Sequence, residues 1–376
     1  MRGFTRGVLP LCLLLALGGC MSIGPDTIRR DRVSYGDAVD EAAKRELLLN
    51  IVKLRYGDSA SFVRVNQIVA GYTFESRVNL GSNFLTNENF ALGDNLDVGA
   101  GATYADRPTI TYQPIRGGDY ARFLLTPIPP AELLALVLAG TPTDLLLTLG
   151  VQAMNGLRNN FDAGLGSAVT DPEFGEALGL LLALGRRGQV GIRFEGSGIG
   201  RTPYLIFYRP DDEPLAPEEA HLCALLGLDP GLREFRVVFG LKPRREGEVA
   251  FYTRSLIEAM TAVANRIAVP DSDVSEGRTF APQSDQPSGK EAEKGDKAEL
   301  PPPRGASDEA LPLLTIRSGE SHPSSAFIAA RYRDRWYWID DRDLAGKRFF
   351  STLMLLVTIS EGNTREGAPV ITIPAS

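Results

Sequence analysis

The clearest structural pattern in the sequence is VDEAAKRELLLNIVKL, residues 39–54. Apolar side chains recur at the three- and four-residue spacing of one helix face, at Val39, Ala43, Leu47, Ile51 and Leu54. Ser34, followed by Asp37, gives a start similar to a capping box, and Gly57 ends the pattern. The stretch therefore predicts an amphipathic helix over residues 34–57, with one face buried in a core.

The twenty residues that open the chain have the organisation of an export signal. Arg2 and Arg6 form a short basic start. The apolar run over residues 8–17 is too short for a permanent membrane helix, because spanning takes about 20 apolar residues. Leu17-Gly18-Gly19-Cys20 then follows and resembles the lipobox of bacterial lipoproteins. An ordinary secretory signal with a chance cysteine is the alternative interpretation.

The lipobox resemblance implies that the chain is cut before Cys20 and that Cys20 is acylated. Residues 1–19 would be the signal peptide, and lipid on Cys20 would attach the mature chain to a membrane. Met21 follows in place of Asp, which in related lipoproteins is associated with sorting to the outer membrane. We therefore expect a location at the periplasmic face of the outer membrane. The polar, turn-prone residues 20–33 would be a flexible tether.

Charge and cysteine content restrict the possible partners. The net charge is −7, and no block of Lys or Arg occurs, which argues against a nucleic-acid partner. If Cys20 carries lipid, Cys223 has no disulfide partner in the mature chain. Cys223 lies in an apolar, helix-like run, and we predict that it is a small buried hydrophobic residue.

Residues 34–269 alternate between strand and helix patterns and predict one main α+β body. The expected fold class is α+β, with a mixed, mainly antiparallel sheet, several packed helices and one long disordered internal loop. Strands are expected at residues 72–80, 109–112, 190–194, 204–208 and 235–239, with a hairpin within 189–209. Helices are expected at residues 131–139, 144–157, 173–185, 217–226 and 255–267.

Residues 270–311 differ in composition from the rest of the chain. They are acidic and proline-rich, with Phe280 as the single aromatic residue, so we expect a disordered linker. Residues 312–376 form a short C-terminal piece. It should contain strands at 313–316, 326–332, 336–339 and 370–373 and a helix at 344–359, and we expect it to pack on the main body.

Motifs of common enzymes are not found. The two histidines, His221 and His322, are not placed near a nucleophile in a recognised arrangement. Gly196-Ser197-Gly198 lacks the outer glycines of a nucleophile elbow. No G-K-[ST] or His/Cys cluster occurs, so neither a nucleotide nor a zinc site is predicted. We expect no cofactor, no metal and no catalytic residue.

Two clusters near the C-terminus are nevertheless candidate sites. Asp340, Asp341 and Asp343 could serve acid–base or metal chemistry, but carboxylates at a helix start more commonly cap it, and we favour capping. The second cluster combines cations with flat aromatic faces and could hold an acidic glycan or a lipid phosphate, through Arg331, Arg333, Arg335, Trp336 and Trp338. The alternative, which we favour, is an ordinary aromatic core with paired arginines.

Two stretches together resemble uncharacterised envelope lipoproteins of Gram-negative bacteria: ELLLNIVKLRYGD at residues 46–58 and WYWIDDRDL at residues 336–344. The resemblance implies a location in the envelope and supplies no activity. The favoured function is a non-enzymatic, lipid-anchored interaction protein with envelope protein partners. A glycan- or lipid-binding module using the stretch Arg331–Trp338 is the alternative, and an enzyme using Asp340, Asp341 and Asp343 comes third.

Overall fold

The structure, a computed structural model, describes residues 23–69, 72–83, 95–106, 108–159, 161, 171–196, 200–209, 214–265, 267–280 and 314–362. Cys20, residues 281–311 of the predicted linker and the strand expected at 370–373 lie outside these ranges. The chain divides into two compact units. Residues 61–116 form one unit, and the chain on either side of them forms the other, so the single body expected for residues 34–269 is divided.

The larger unit contains nine α-helices among the described residues, and two of them have only four and five residues. The α-helices are α1 (Ile23–Arg55), α2 (Gly117–Tyr120), α3 (Pro130–Leu138), α4 (Thr143–Gly150), α5 (Pro172–Arg186), α6 (Pro217–Leu226), α7 (Leu256–Ala264), α8 (Asp271–Ser275) and α9 (Leu344–Gly362). A short π-helix, Ala121–Leu125, follows α2 directly. None of the described helices combines the length and the apolar character that crossing a bilayer requires.

Among the described residues, two sheets belong to the larger unit, and both fit the predicted α+β class. The strands of both units are β1 (Val63–Val69), β2 (Tyr72–Asn83), β3 (Asn95–Asp106), β4 (Thr109–Pro114), β5 (Val151–Met154), β6 (Leu157–Arg158), β7 (Val190–Glu195), β8 (Thr202–Phe207), β9 (Glu234–Phe239), β10 (Glu248–Thr253), β11 (Arg317–Gly319), β12 (Ala326–Tyr332) and β13 (Arg335–Asp340). The first sheet has the order β6-β5-β10-β9-β8-β7 and is antiparallel except between β9 and β10. The predicted mixed, mainly antiparallel sheet is therefore confirmed.

The helix α1 buries the face that the sequence pattern indicates. Leu47, Leu48, Ile51 and Val52 are almost completely buried. The helix begins at Ile23, earlier than the predicted start at Ser34, so that prediction is wrong, and residues assigned to a flexible tether are helical. The start includes Pro25, and proline is tolerated in a first turn because its missing N–H would have no intrahelical partner there.

The prediction of a helix over residues 144–157 is wrong for the second half of that range. The helix α4 ends at Gly150, and the chain continues as β5, the neighbour of β10. The guanidinium of Arg254, which is fully buried, donates from Nη1 to the carbonyl oxygens of Thr148 (2.7 Å), Leu149 (3.0 Å) and Val151 (3.0 Å). A cation there satisfies carbonyls at the helix end and stabilises the negative end of the helix dipole.

The C-terminal residues form a three-stranded antiparallel sheet, β11-β13-β12, followed by α9. The hairpin predicted around Arg333 and Asp334 is confirmed, with Tyr332 paired to Arg335 across the turn. The strand β12 contacts α1, and α9 contacts α4 and α7. Aromatic and aliphatic side chains of α9 are fully buried: Phe349, Phe350, Leu353 and Leu356.

Residues 270–280 are ordered, so the start of the predicted disordered linker is wrong. Asp273, in α8, and Thr279 are buried. Thr279 Oγ1 donates to the carbonyl oxygen of Arg55 at 2.7 Å, and Arg55 Nη2 donates to the carbonyl oxygen of Phe280. Composition indicated disorder because few side chains here are apolar, whereas hydrogen bonds to the end of α1 hold the segment in place.

The smaller unit, residues 61–116, contains two antiparallel ribbons. In one, β1 pairs with β4, from Val63 opposite Pro114 to Val69 opposite Thr109, with an irregularity between Val65 and Gln67. In the other, β2 pairs with β3 in continuous register, from Tyr72 opposite Asp106 to Asn83 opposite Asn95. Among the described residues each ribbon has two strands.

Candidate functional site

The predicted arginine–tryptophan cluster is divided between two faces of the C-terminal sheet. Cross-strand neighbours lie on the same face of a sheet, and successive residues lie on opposite faces. Arg331 is opposite Trp336, and Trp338 lies on the same face two residues further along β13. Arg335 is opposite Tyr332 and belongs to the other face, while Arg333 is in the turn. The five residues therefore do not form one surface.

The arginines of this sheet have acidic neighbours. Arg331 Nη2 is 3.5 Å from Asp334 Oδ1, and Arg335 Nη2 is 3.9 Å from Glu320 Oε1. Trp336 and Trp338 are half-buried, and the Trp336 ring meets the His322 ring edge-on, with centroids 4.5 Å apart. What remains as a candidate binding face is the pair of tryptophans with Arg331, whose side chain is 60% exposed.

The three aspartates at the end of β13 and just after it have separate partners. Asp343 Oδ1 accepts from the backbone N–H of Gly346 at 2.8 Å, so Asp343 caps α9, as predicted. Asp340 Oδ1 accepts from the N–H of Arg342 at 2.9 Å, and Asp341 Oδ1 is 3.0 Å from Lys347 Nζ. Within the described ranges, no group of three or more His, Cys, Asp or Glu side chains is arranged to hold a metal ion.

Gly346 is required by this cap. A Cβ atom at Gly346 would lie 2.2 Å from Asp343 Oδ2, far inside van der Waals contact. The glycine therefore allows the carboxylate to fold back over the first turn of α9. This close approach is typical of a helix cap, and it leaves one oxygen of Asp343 already engaged with the backbone.

The two stretches that carry the family resemblance meet in a cluster that we call the tyrosine cluster: Tyr56, Asp273, Tyr332 and Tyr337. Tyr56 Oη donates to Asp273 Oδ2 at 2.6 Å and lies 2.6 Å from Tyr337 Oη. Because the single proton of Tyr56 is directed to Asp273, Tyr337 is the donor to Tyr56. Tyr332 Oη donates to Asp58. Their hydrogen bonds join the end of α1, helix α8 and the C-terminal sheet.

Ring contacts reinforce the tyrosine cluster. The Tyr56 ring centroid is 5.4 Å from that of Tyr332 and 6.2 Å from that of Tyr337. The guanidinium carbon of Arg333 is 5.1 Å from the Tyr56 ring centroid and 5.2 Å from that of Tyr332, which is cation–π distance. Arg333 has φ = 51°, a left-handed conformation. The tight turns that join the two strands of a hairpin require such positive φ values.

The electrostatics of the tyrosine cluster keep its phenols neutral. Burial raises the pKa of Tyr56 well above its ordinary value, and its hydrogen bond to Asp273 raises that pKa further. Burial likewise raises the pKa of Tyr337 and of Tyr332. A general base needs a pKa near the working pH, and these groups are shifted away from it. The geometry therefore suits a structural joint between segments distant in sequence.

Sequence reasoning missed the tyrosine cluster. The alternation Trp336-Tyr337-Trp338 does place Tyr337 on the face opposite the tryptophans, and this was the available signal. Asp273 gave none, because it lies in a segment whose composition indicates disorder. Cys223 is buried, as predicted, and burial raises the pKa of its thiol to about 11, which leaves it unreactive.

The strand β4 in the smaller unit is an exposed element that carries apolar side chains. All six of its residues are exposed, including Ile110 at 37% and Tyr112 at 61%. Its sequence is Thr-Ile-Thr-Tyr-Gln-Pro and carries no charge. Among the described residues β4 pairs with β1 along one edge, and its other edge pairs with no strand. The sequence predicted this strand in a sheet with one face in solvent, whereas both faces of β4 are exposed.

Comparison with known proteins gives no match among protein-family models, curated proteins or solved structures.

Proposed function

We propose that this protein is a lipid-anchored, non-enzymatic interaction protein at the periplasmic face of the outer membrane, with other envelope proteins as partners. Its association surface is the open edge of β4, and the partner on that edge is a second copy of the chain. The exposed, uncharged edge of β4 is the observation that carries the proposal. The anchor at Cys20 is supported by the resemblance of Leu17–Cys20 to a lipobox.

The chemistry of the β4 edge favours pairing with another strand. An open edge presents a row of backbone N–H and C=O groups, and natural proteins usually protect such edges with charges, proline or a covering element. The strand β4 has a proline only at its last residue, Pro114, and no charged residue. Threonine, isoleucine and tyrosine are strong strand formers. An isolated two-stranded ribbon is also only marginally stable, and a third or fourth strand stabilises it.

Pairing of β4 with a second copy explains why the edge carries no charge. The two strands of an antiparallel β4–β4 pair are related by a two-fold axis. If residue i of one copy contacts residue j of the other, then residue j of the first copy also contacts residue i of the second. With the axis at Thr111, Ile110 lies opposite the second copy's Tyr112 and the reverse. A charge on β4 would meet a like charge close to that axis. An uncharged strand removes this repulsion, and an aromatic–β-branched pair adds stability.

The direct test is the molar mass of the acylated full chain in detergent, measured by light scattering or sedimentation over a wide range of protein concentration. The wild type should form a dimer whose population rises with concentration. Ile110→Lys combined with Tyr112→Lys should shift it to monomer, because opposed lysines repel on a paired edge. Leu241→Lys is the matched control, since Leu241 is similarly exposed outside the ribbon. A monomeric wild type, or a dimeric double lysine variant, would refute the proposal.

A crosslinking experiment tests the register. Cys223 is buried and should not react with the oxidant. A cysteine introduced at Thr111, which is exposed, would therefore be the thiol that forms the crosslink. With the two-fold axis at Thr111, Thr111→Cys should oxidise to a covalent dimer, because directly opposed residues have Cα atoms about 4.5–5.5 Å apart. Thr109→Cys should not, because the two thiols would be far apart. Equal crosslinking of both variants would indicate non-specific encounter.

The anchor has its own test. Cys20→Ser should give a chain that is either unprocessed or released from the membrane, because acyl chains supply the binding energy. Membrane fractions with a high-salt wash measure this outcome. A processed Cys20→Ser chain that still pellets would place the anchor elsewhere. The mass measurements above would still decide the association proposal in that case.

The alternative function is binding of an acidic glycan or a lipid phosphate. The observation in its favour is that Arg331, Trp336 and Trp338 share one sheet face, where Arg331 is exposed and both tryptophans are half-buried. The acidic partners of the arginines and the division of the predicted cluster count against it. Trp338→Ala should abolish retention on immobilised acidic glycan if this function holds, and retention without loss would refute it.

A further inference from the structure

A cavity of about 420 Å³ lies between the six-stranded sheet and the helices α3, α4 and α5. Its floor is formed by side chains of four adjacent strands, among them Val190, Leu205, Val237 and Phe251. Leu134 of α3 and Leu147 of α4 form part of the wall. All six of these side chains are buried. The floor and this part of the wall are therefore apolar.

The size of this cavity is unusual for a packing defect. Protein cores are packed as densely as organic crystals and leave few voids larger than a water molecule. The volume of the cavity lies in the range of about 300–1,000 Å³ that is typical of ligand sites. Water in it would find few polar partners among Val, Leu and Phe side chains. The cavity is shaped and lined for an apolar ligand.

Polar groups are found where helices meet the cavity. Arg186, in the last turn of α5, and Asp144, in the first turn of α4, both line it. Arg186 is exposed, and in the described part of the chain its guanidinium takes part in no hydrogen bond or ion pair. Leu138, at the end of α3, is 56% exposed and also lines the cavity. An apolar interior with an available guanidinium at its exposed side matches an amphiphile.

We propose that this cavity binds a single acyl chain with an anionic head group. The chain would lie over the floor of the sheet, and Arg186 would hold the carboxylate or phosphate of the head. A guanidinium is suited to this contact because its planar N–H groups pair with two oxygens at once. The proposal does not depend on β4 or on the anchor, since the described residues that line the cavity all lie between Leu134 and Phe251.

The best probe of the cavity is Gly185, which lines it near the end of α5. A Cβ atom there would meet only the carbonyl oxygen of Val190, at 3.9 Å, so a larger side chain is tolerated at the backbone. Gly185→Phe would fill the space at the cavity. Gly179 is the matched control, because it is exposed in the same helix, does not line the cavity and has no atom within 4 Å of a Cβ position.

The binding assay uses a dansyl-labelled undecanoic acid and the full chain in detergent below its micellar concentration. The wild type should bind it saturably with one site per chain. Gly185→Phe should weaken binding by about tenfold or more, and Gly179→Phe should leave it unchanged. Unsaturable binding by the wild type, or equal affinity of both phenylalanine variants, would overturn the proposal. Thermal melts of both variants verify that they are folded.

A second variant tests the head-group contact and does not depend on filling the cavity. Arg186→Gln should weaken binding of the fatty acid by about tenfold, which is the size of one charge-assisted hydrogen bond. It should leave binding of the matching fatty alcohol unchanged. Loss of both ligands, or of neither, would contradict the role of Arg186. Competition by lysophospholipid or by free fatty acid then distinguishes a phosphate from a carboxylate head.

Discussion

Replacement of Tyr56 by phenylalanine is the most informative perturbation of the fold. The hydroxyl of Tyr56 is at the centre of the tyrosine cluster. It donates a hydrogen bond to Asp273 at 2.6 Å and accepts one from the hydroxyl of Tyr337 at 2.6 Å. Phenylalanine keeps the ring and its contacts with the two neighbouring tyrosines. The substitution therefore removes the hydrogen bonds and leaves the packing in place.

The cost of Tyr56→Phe follows from what each partner retains. A hydrogen bond to a charged group contributes about 1.5–3 kcal/mol, and a neutral one about 0.5–1.5 kcal/mol. The side chain of Asp273 is 10% exposed, and after the substitution it keeps the ion pair with Arg278, whose Nη1 is 3.5 Å from Asp273 Oδ1. We expect a loss of about 2–4 kcal/mol in the free energy of unfolding of the larger unit. Tyr337→Phe breaks only the neutral bond and should cost about 1 kcal/mol.

Urea titration followed by circular dichroism measures these losses, with Tyr208→Phe as the control. Tyr208 is 57% exposed, so removal of its hydroxyl should change stability by less than about 0.5 kcal/mol. The Tyr56→Phe/Tyr337→Phe double variant should cost less than the two single variants together, because they share one bond. Additive costs, or a Tyr56→Phe variant as stable as the wild type, would refute the hydrogen-bonded chain from Tyr337 through Tyr56 to Asp273.

Two further predictions concern pH and the cap of α9. Burial raises the folded-state pKa of Tyr56, Tyr332 and Tyr337 above the ordinary value of 10.0. The stability that these phenols contribute should therefore be fully present below that pH and be lost as pH rises above it. Urea midpoints across this range measure the loss, and a Tyr56→Phe variant with an unchanged pH dependence would be inconsistent with this cause. Asp343→Ala should cost about 0.5–2 kcal/mol and Asp343→Asn little, because asparagine retains the capping oxygen. Thermal melts with and without divalent cations measure both, and a wild type stabilised by metal that the Asn variant cannot use would reverse the capping interpretation.

Helices with local end signals were predicted well from the sequence. Proline stands at the first position of α3, α5 and α6, where its fixed φ suits a helix start. The helix α6 ends at Gly227, which has φ = 59°, the left-handed conformation that glycine adopts without strain. These boundaries depend on residues adjacent in the chain, and a single sequence is sufficient to find them.

Elements that depend on distant residues were predicted incorrectly or missed. The end of α4 is set by hydrogen bonds from Arg254, about a hundred residues later in the sequence. The strand β10 is largely buried along its length, and a strand covered on both faces lacks the apolar–polar alternation that marks a half-buried one. Asp273 is ordered by Tyr56, which no local pattern near residue 273 indicates. In each case the deciding contact is made only after the chain has folded.

The structure also limits what the family resemblance can imply. It depends on residues 46–58 and 336–344, and these two stretches supply Tyr56 and Tyr337 to the tyrosine cluster and Asp343 to the cap of α9. Each of these roles is a contact within the fold. A protein that shares only these stretches would share the contacts between α1 and the C-terminal sheet. Those contacts stabilise the fold and do not determine which ligand or partner the protein binds. The surfaces proposed for binding, the edge of β4 and the cavity over the sheet, lie outside both stretches. Related chains should therefore be compared at Ile110, Tyr112 and Arg186, where a difference in binding would arise.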